Sequence, residues 1–514
     1  LEYGTRISTC ELVGTWFDVG ATGGAFEMVN TTNLTDGNDT TNVNATSSGA
    51  LSDPVGQTFQ GTNSGQKDIS SETAGVTLGD GQFTELEFAI EATADAGDDT
   101  TYCFRLTDAG TPLEQYTTYA ELTTREKQDF FVQRGTTFVS GTGTVLTAGP
   151  DYTAPASSTR TFVRITNSQH TGAGPNSTGG VAPDDVTAYI ADQSDLTTSF
   201  TLGRPSGATG STKVEWEIVE YIGIVGGDNE MVVRDVGTVT FGSSAQTATG
   251  TVLSNVSNAD DVVVYITGHI NPSGTTGEYM ASLATAEWDQ NSSSTVFTRE
   301  TTANQSASVS YAVVEYLGVN WKVQRVENDY STTGTETQPI TAITAFQQAF
   351  VHAQKRVGSL ESGLDEYGHQ VWLSSIGQVS FQLQSGADNP GQHYAVAWVV
   401  ENMQLGDGRM NVVRDAGQLS NTGIAVVQSN IITIPGGIDS ANNTSLFMSN
   451  HSDGSGNAYP RPIIAARIVN ETQYELWRSD SAREINYRIE FVEWPVAELS
   501  YRQSYYRFYV DNDA

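Results

Sequence analysis

Short stretches in which apolar and polar residues alternate with period two recur along the whole chain, separated about every 8–12 residues by turns of Gly, Ser, Thr and Asn. This pattern predicts antiparallel strands with one buried face and favours strands over helices. Four stretches share one phrase: "KVEWEIVEYIG", "SVSYAVVEYLG", "HYAVAWVVENM" and "NYRIEFVEWPV". Their pairs Val219–Glu220, Val314–Glu315, Val400–Glu401 and Val492–Glu493 recur at intervals of about 90 residues, the size of one small sandwich.

Each copy also carries an upstream apolar strand running to a histidine, namely His170, His269, His352 and His451. A Gly/Ser/Asn-rich loop and two further strands follow before the closing phrase. The predicted fold class is therefore all-β, a series of tandem antiparallel β-sandwiches, with four repeats over 125–238, 239–327, 328–418 and 419–496. Copies one and three continue into "GGDNEMVVRDVG" and "LGDGRMNVVRDAG". That strand opens the following unit or bridges two, and the boundaries as drawn keep it with the preceding copy.

Residues 1–124 form a different all-β unit with strand lengths like those of an immunoglobulin sandwich. A long polar loop from about Asn30 to Gly65 interrupts it. The chain ends on "QSYYRFYVDNDA", where Tyr506, Phe508 and Val510 point one way and Tyr505, Arg507 and Tyr509 the other. Residues 497–514 lie outside the fourth repeat and read as a strand whose partner is elsewhere.

Composition sharpens this picture. A chain of 514 residues is too long for one core and predicts roughly three to five domains. With 60 acidic against 25 basic residues the formal charge is -35, and only Lys67, Lys127, Lys213, Lys322 and Lys355 are lysines. Such a surface repels phosphate backbones, so nucleic acid is not an expected partner, and it fits an extracellular setting: a cell surface or an appendage. No apolar run is long enough to span a membrane as a helix. The first residues, "LEYGTRIST", carry neither initiator Met nor signal peptide, the expectation being a processed or excised piece. Cys10 and Cys103 are the two cysteines; in an oxidising compartment they can close one disulfide, the alternative being two small buried apolar side chains.

The chain contains no phosphate-binding glycine loop, no H-E-x-x-H, no C-x-x-C and no G-x-S-x-G. No catalytic residue and no resident cofactor are expected. Repeat histidines about 90 residues apart do not make a metal site without assembly, and the recurring glutamates read as outward residues paired with an Arg across an interface or a strand. Acidic clusters at Asp36–Asp39 and Asp95–Asp98–Asp99 are the candidates for calcium, against solvated turns as the default.

The repeat, with its central loop and "SYAVVEY"-type closing strand, resembles the H-type lectin fold, a six-stranded antiparallel sandwich. That likeness implies a glycan-binding alternative. The phrases "TTYCFRLTDAGTPLEQYTTYAELT", "VQRGTTFVSG" and "SYYRFYVDNDA" resemble those of very large repetitive surface proteins of environmental bacteria. In that order of domains, a "YRFYVDNDA"-type strand opens the Ig-like unit that "LEYGTRIST" continues.

The expectation is then a first unit lacking its opening strand and a tail that supplies one. The donor strand comprises Tyr505, Tyr506, Arg507, Phe508, Tyr509 and Val510; the strands of the acceptor domain are marked by Tyr3, Arg6 and Phe104. Identical subunits would join head to tail, covalently or by strand donation. The alternative seat is an extra edge strand on the fourth repeat. The function expected is a non-enzymatic filament or surface-layer subunit, with a carbohydrate-binding adhesin and a viral fibre or decoration protein as the other readings.

Overall fold

The computed structural model describes the chain except for residues 31–33, 41–55, 63, 94, 98–99, 114–118, 125–128, 172–186, 209, 271–280, 300–304, 359–367, 384–389, 406–407, 420–427, 453–463, 479–483, 497–503 and 512–514. The described residues are all-β, in antiparallel sandwiches, with short 3-10 turns as the only helical elements among them. No helix among them is long and apolar enough to cross a membrane. Two compact units emerge, one made of Leu1–Lys127 with Glu498–Ala514 and the other of Gln128–Ala497.

In the second unit each repeat has two antiparallel layers of three strands, and the second layer of the third repeat joins the first layer of the fourth in one six-stranded sheet where His369 pairs with Asn450. In the first layer a closing strand lies between an opening strand and the histidine-bearing strand. The closing strands are Ser211–Tyr221, Ala307–Tyr316, His393–Asn402 and Ile485–Glu493. The opening strands are Phe130–Ser140, Met231–Phe241, Trp321–Asp329 and Asn411–Leu419. Met231 pairs with Tyr316, and Asn411 with Glu493, so each "VVRD" strand pairs with the closing strand that follows it. The boundaries expected at 238, 327 and 418 therefore fall inside strands; the true linkers are residues 222–230, 317–320 and 403–410.

Four sandwiches strung in series would each bury one face of each layer. Here the closing strands bury both. Val214, Trp216 and Ile218 fill the first repeat's own core, while Val219 and Tyr221 join Tyr316, Trp398, Val400, Val492 and Trp494 in a core shared by all four repeats. Phe130 stacks on Trp494 at 4.8 Å, and Trp321 and Phe350 pack on the same indole.

Hydrogen bonds cross every seam and close a ring. His269 donates its backbone N–H to Ala188 at 2.9 Å, and Gln354 Nε2 donates to Val264 at 2.6 Å. Val351 N–H reaches Glu490 at 2.6 Å, and Ala466 N–H reaches Thr166 Oγ1 at 2.9 Å. The last joins the fourth repeat to the first, where no linker runs.

The recurring glutamates are not outward-facing. Glu220, Glu315, Glu401 and Glu493 are buried, and each accepts backbone N–H groups of its own repeat's loop: from Ala156, from Ser257 and Asn258, from Thr344, and from Asp439. A carboxylate at the end of the closing strand thus satisfies loop amides that would otherwise be buried without an acceptor. Of the four, Glu315 also pairs with an arginine, Arg234.

The linkers are knitted together at one end of the ring. Asn320 N–H donates to Asp228, Met403 N–H to Asn320 and Val496 N–H to Gly408. Beneath them Asn229 Nδ2 donates to Asp129 at 2.9 Å and to Gln404 at 2.7 Å, and its carbonyl accepts from Asn320 and Asn402. Every polar atom of that buried amide has a partner, which fixes the register of the linkers.

Candidate functional site

The first unit is a sandwich of two layers. One layer orders Ala120–Thr123, Thr101–Arg105, Glu2–Thr5 and Phe17–Asp18. The other is built on the eleven-residue strand Gln82–Ala92. One edge of that strand is shared by three short segments, Phe26–Met28, Thr58–Phe59 and Gln66–Lys67. Its second edge is taken by the chain's own tail strand, Ser504–Asp511.

The tail runs antiparallel over eight positions, from Ser504 opposite Ile90 to Asp511 opposite Phe83. The register sets Tyr506 against Phe88, Phe508 against Leu86 and Val510 against Thr84; Tyr505, Arg507 and Tyr509 stand opposite Ala89, Glu87 and Glu85. Leu86, Phe88 and Ile90 belong to the core of the unit, together with Tyr3, Phe26, Tyr102 and Phe104. The tail therefore supplies the hydrogen-bonded margin of a core strand, and it lies on the first unit rather than on the fourth repeat.

Tyr3 and Phe104 are paired with each other in the opposite layer. The Tyr3 hydroxyl accepts the N–H of Ala25 at 2.6 Å. Arg6 follows the first strand and pairs with Glu121 at 3.1 Å. All three belong to the unit that takes the tail, but none lies on the strand that pairs with it. The acceptor strand, Phe83–Ile90, is not among the residues by which the sequence marks the acceptor domain. Its length and the apolar residues at Phe83, Leu86, Phe88, Ala89 and Ile90 mark a central strand.

Cys10 and Cys103 are joined, tying the turn after the first strand to Thr101–Arg105. Closing a loop of 93 residues restricts the unfolded chain by about 4–5 kcal/mol in the chain-entropy account. Among the described residues the one set of His, Cys, Asp and Glu side chains close enough to hold a metal is Cys10, Cys103 and Glu121; with both sulfurs in a disulfide it offers no thiolate. Asp36, named for calcium, has its carboxylate engaged by Lys67 Nζ at 3.1 Å and by the N–H groups of Asp68 and Ile69. Those contacts hold it below the usual carboxylate range against burial. Asp98 and Asp99 lie outside the described residues, as does the side chain of His170.

Three histidines line one cavity of about 250 Å³ between the second, third and fourth repeats: His269, His352 and His369, with Gln354, Lys355 and Asn450. Burial lowers His269 to about 4, and burial assisted by Arg164 lowers His352 to about 3. The folded ring thus holds both imidazoles neutral. As pH falls below about 6.5 the unfolded chain takes up protons that the folded chain refuses, each group removing about 1.4 kcal/mol per pH unit until its folded pKa is reached. Stability is fully present above pH about 6.5 and falls toward pH 4. Urea unfolding at pH about 7 and about 5 should show a steeper loss for wild type than for His269→Gln; equal slopes would count against the assignment.

No family model matches this chain, and neither a curated protein nor a solved structure matches it.

Proposed function

We propose that the chain is a non-enzymatic structural subunit of an extracellular filament or surface layer, assembled when the tail strand of one copy completes the first unit of the next. The observation that carries this reading is the pairing of Ser504–Asp511 along the whole Phe83–Ile90 edge. The same ladder forms whichever copy supplies the strand, so exchange between copies conserves the hydrogen bonds and the buried area. Closed within one chain it gives a monomer. Passed from chain to chain it gives a head-to-tail contact that does not close on itself and so grows. The disulfide and the acidic balance support an oxidising, extracellular setting.

The test mixes two populations, one labelled near residue 514 and one on the first unit. They are warmed to open that unit and cooled at high concentration in added salt, which screens the charge of -35. Energy transfer between the labels, with a ladder of oligomers on sizing, is expected. Monomers alone at every concentration, with no transfer, would sink the reading.

A further inference from the structure

The seam between the fourth and first repeats and the seam between the third and fourth are built on matching positions, and they differ in charge. At the former, the pairings of Phe130–Ser140 and Thr161–Thr171 with the closing strand set Arg134 and Arg164 opposite Glu217, and Thr136 and Thr166 opposite Glu215. At the latter, the pairings of Asn411–Leu419 and Thr444–Ser452 set Arg414 and Phe447 opposite Glu490, and Ala416 and Ser449 opposite Arg488. Thr166 exchanges hydrogen bonds with the backbone of Ala466, and Ser449 with that of Val371, so Arg467 and Trp372 correspond as well. Glu215 accepts from the Thr136 hydroxyl at 2.6 Å and faces Lys213 and, at 4.0 Å, Arg467, which itself donates to Thr136 at 3.0 Å. One seam away this polar network is replaced by Arg488, its guanidinium 3.7 Å above the Trp372 ring.

Where the network is replaced, a cavity of about 260 Å³ opens, walled by Val351, Leu373, Phe447 and two cation–π stacks, Arg488 on Trp372 and Arg414 on Phe346 at 4.2 Å. The charges around it do not cancel. Glu490 gives one oxygen to Arg414 at 2.8 Å and the other to the N–H of Val351 at 2.6 Å. Asp415 lies opposite Ile489, a residue of the fourth repeat's own core, and accepts from Tyr474 at 2.5 Å, so its charge is turned to the other face of the sheet. Arg488 meets no carboxylate among the described residues, and its buried Nε reaches no hydrogen-bond acceptor there. Burial lowers its pKa below the ordinary arginine value, as expected of a cation that has left water without gaining a counter-charge.

We infer that this cavity binds a small organic carboxylate with an apolar body, its anion taking the place that Glu215 holds at the neighbouring seam. The planar guanidinium of Arg488 offers a carboxylate paired N–H donors, while its stacking on Trp372 fixes the plane in which they point. Aliphatic and aromatic walls around one charged anchor are the make-up of a small-molecule site. The seam lies wholly within the ring, so the inference holds whether or not the tail strand is exchanged.

The test titrates the full chain with benzoate, and with benzamide as its uncharged counterpart, following tryptophan fluorescence and the heat of binding. Benzoate is expected to saturate with a dissociation constant of about 1 mM or tighter, and benzamide to bind at least tenfold more weakly. Arg488→Gln should weaken benzoate tenfold or more. Ala416→Leu, which keeps the charge and fills space in the cavity beside it, should do the same. Absence of saturation by benzoate, equal affinity for benzamide, or undiminished affinity in Ala416→Leu would each overturn the site. Ala416 is exposed, so that variant decides the matter even where Arg488→Gln fails to fold.

Discussion

A chain ending at Ala497 should lose its first sandwich and keep its ring. The tail strand is the second edge of Gln82–Ala92 over eight residues, so its removal opens the ladder from Phe83 to Ile90. It also opens a route for water to Leu86, Phe88 and Ile90, each worth about 1.5–3 kcal/mol when buried. Against a net domain stability of about 5–15 kcal/mol, that loss is enough to unfold the unit, disulfide notwithstanding. Calorimetry should show the transition of the first unit vanish and that of Gln128–Ala497 remain. Adding a synthetic peptide of residues 501–514 should restore the missing transition. A truncated chain that retains both would show that the strand is dispensable.

Replacing Glu217 by Ala should cost about 3–5 kcal/mol, the effect of leaving buried charges without their counter-ion. Glu217 lies 3.7 Å from both Arg134 and Arg164, all three with little solvent exposure. The two guanidiniums donate to the carbonyls of Thr444 and Leu446 on the fourth repeat, and the N–H of Leu446 returns a bond to Glu217 at 3.2 Å. This cluster closes the one seam that no linker spans. Glu490 repeats the arrangement at the next seam, with Arg414 at 2.8 Å and the N–H of Val351. There the 403–410 linker keeps the repeats together, so Glu490→Ala should open its seam less. Hydrogen exchange across Thr444–Ser452 reads the first opening and urea unfolding its cost. A Glu217→Ala protein within about 1 kcal/mol of wild type would place the cluster among ordinary surface ion pairs.

The repeat, its strands and the tail's separateness from the fourth copy were legible because period-two alternation and a recurring Val–Glu pair survive in the sequence. The shared core was not. In "KVEWEIVEY" Glu215 and Glu217 precede Val219 and Tyr221 on the second face, and together with Glu220 on the first they read as solvated positions. The structure buries all three, because arginines and loop amides meet them there. Hydropathy registers a paired carboxylate as polar wherever it sits. The acceptor strand hid for the same reason, with Glu85, Glu87 and Glu91 interleaved among its apolar residues. The repeat boundaries expected at 238, 327 and 418 fall inside strands because "VVRD" follows one closing strand in sequence but pairs with the next in space.

The amide hub under the linkers decides how the ring would carry tension. Asn229 donates to Asp129, where the chain comes in, and to Gln404, whose own amide donates to the carbonyl of Val496, where the chain goes out. A pull applied to those two points is transmitted through three side chains, Asp129, Asn229 and Gln404, instead of through four sandwiches in series. The ring would then ride on a stretched thread as a bead whose inlet and outlet are clasped together, giving way at the clasp before any repeat has to unravel.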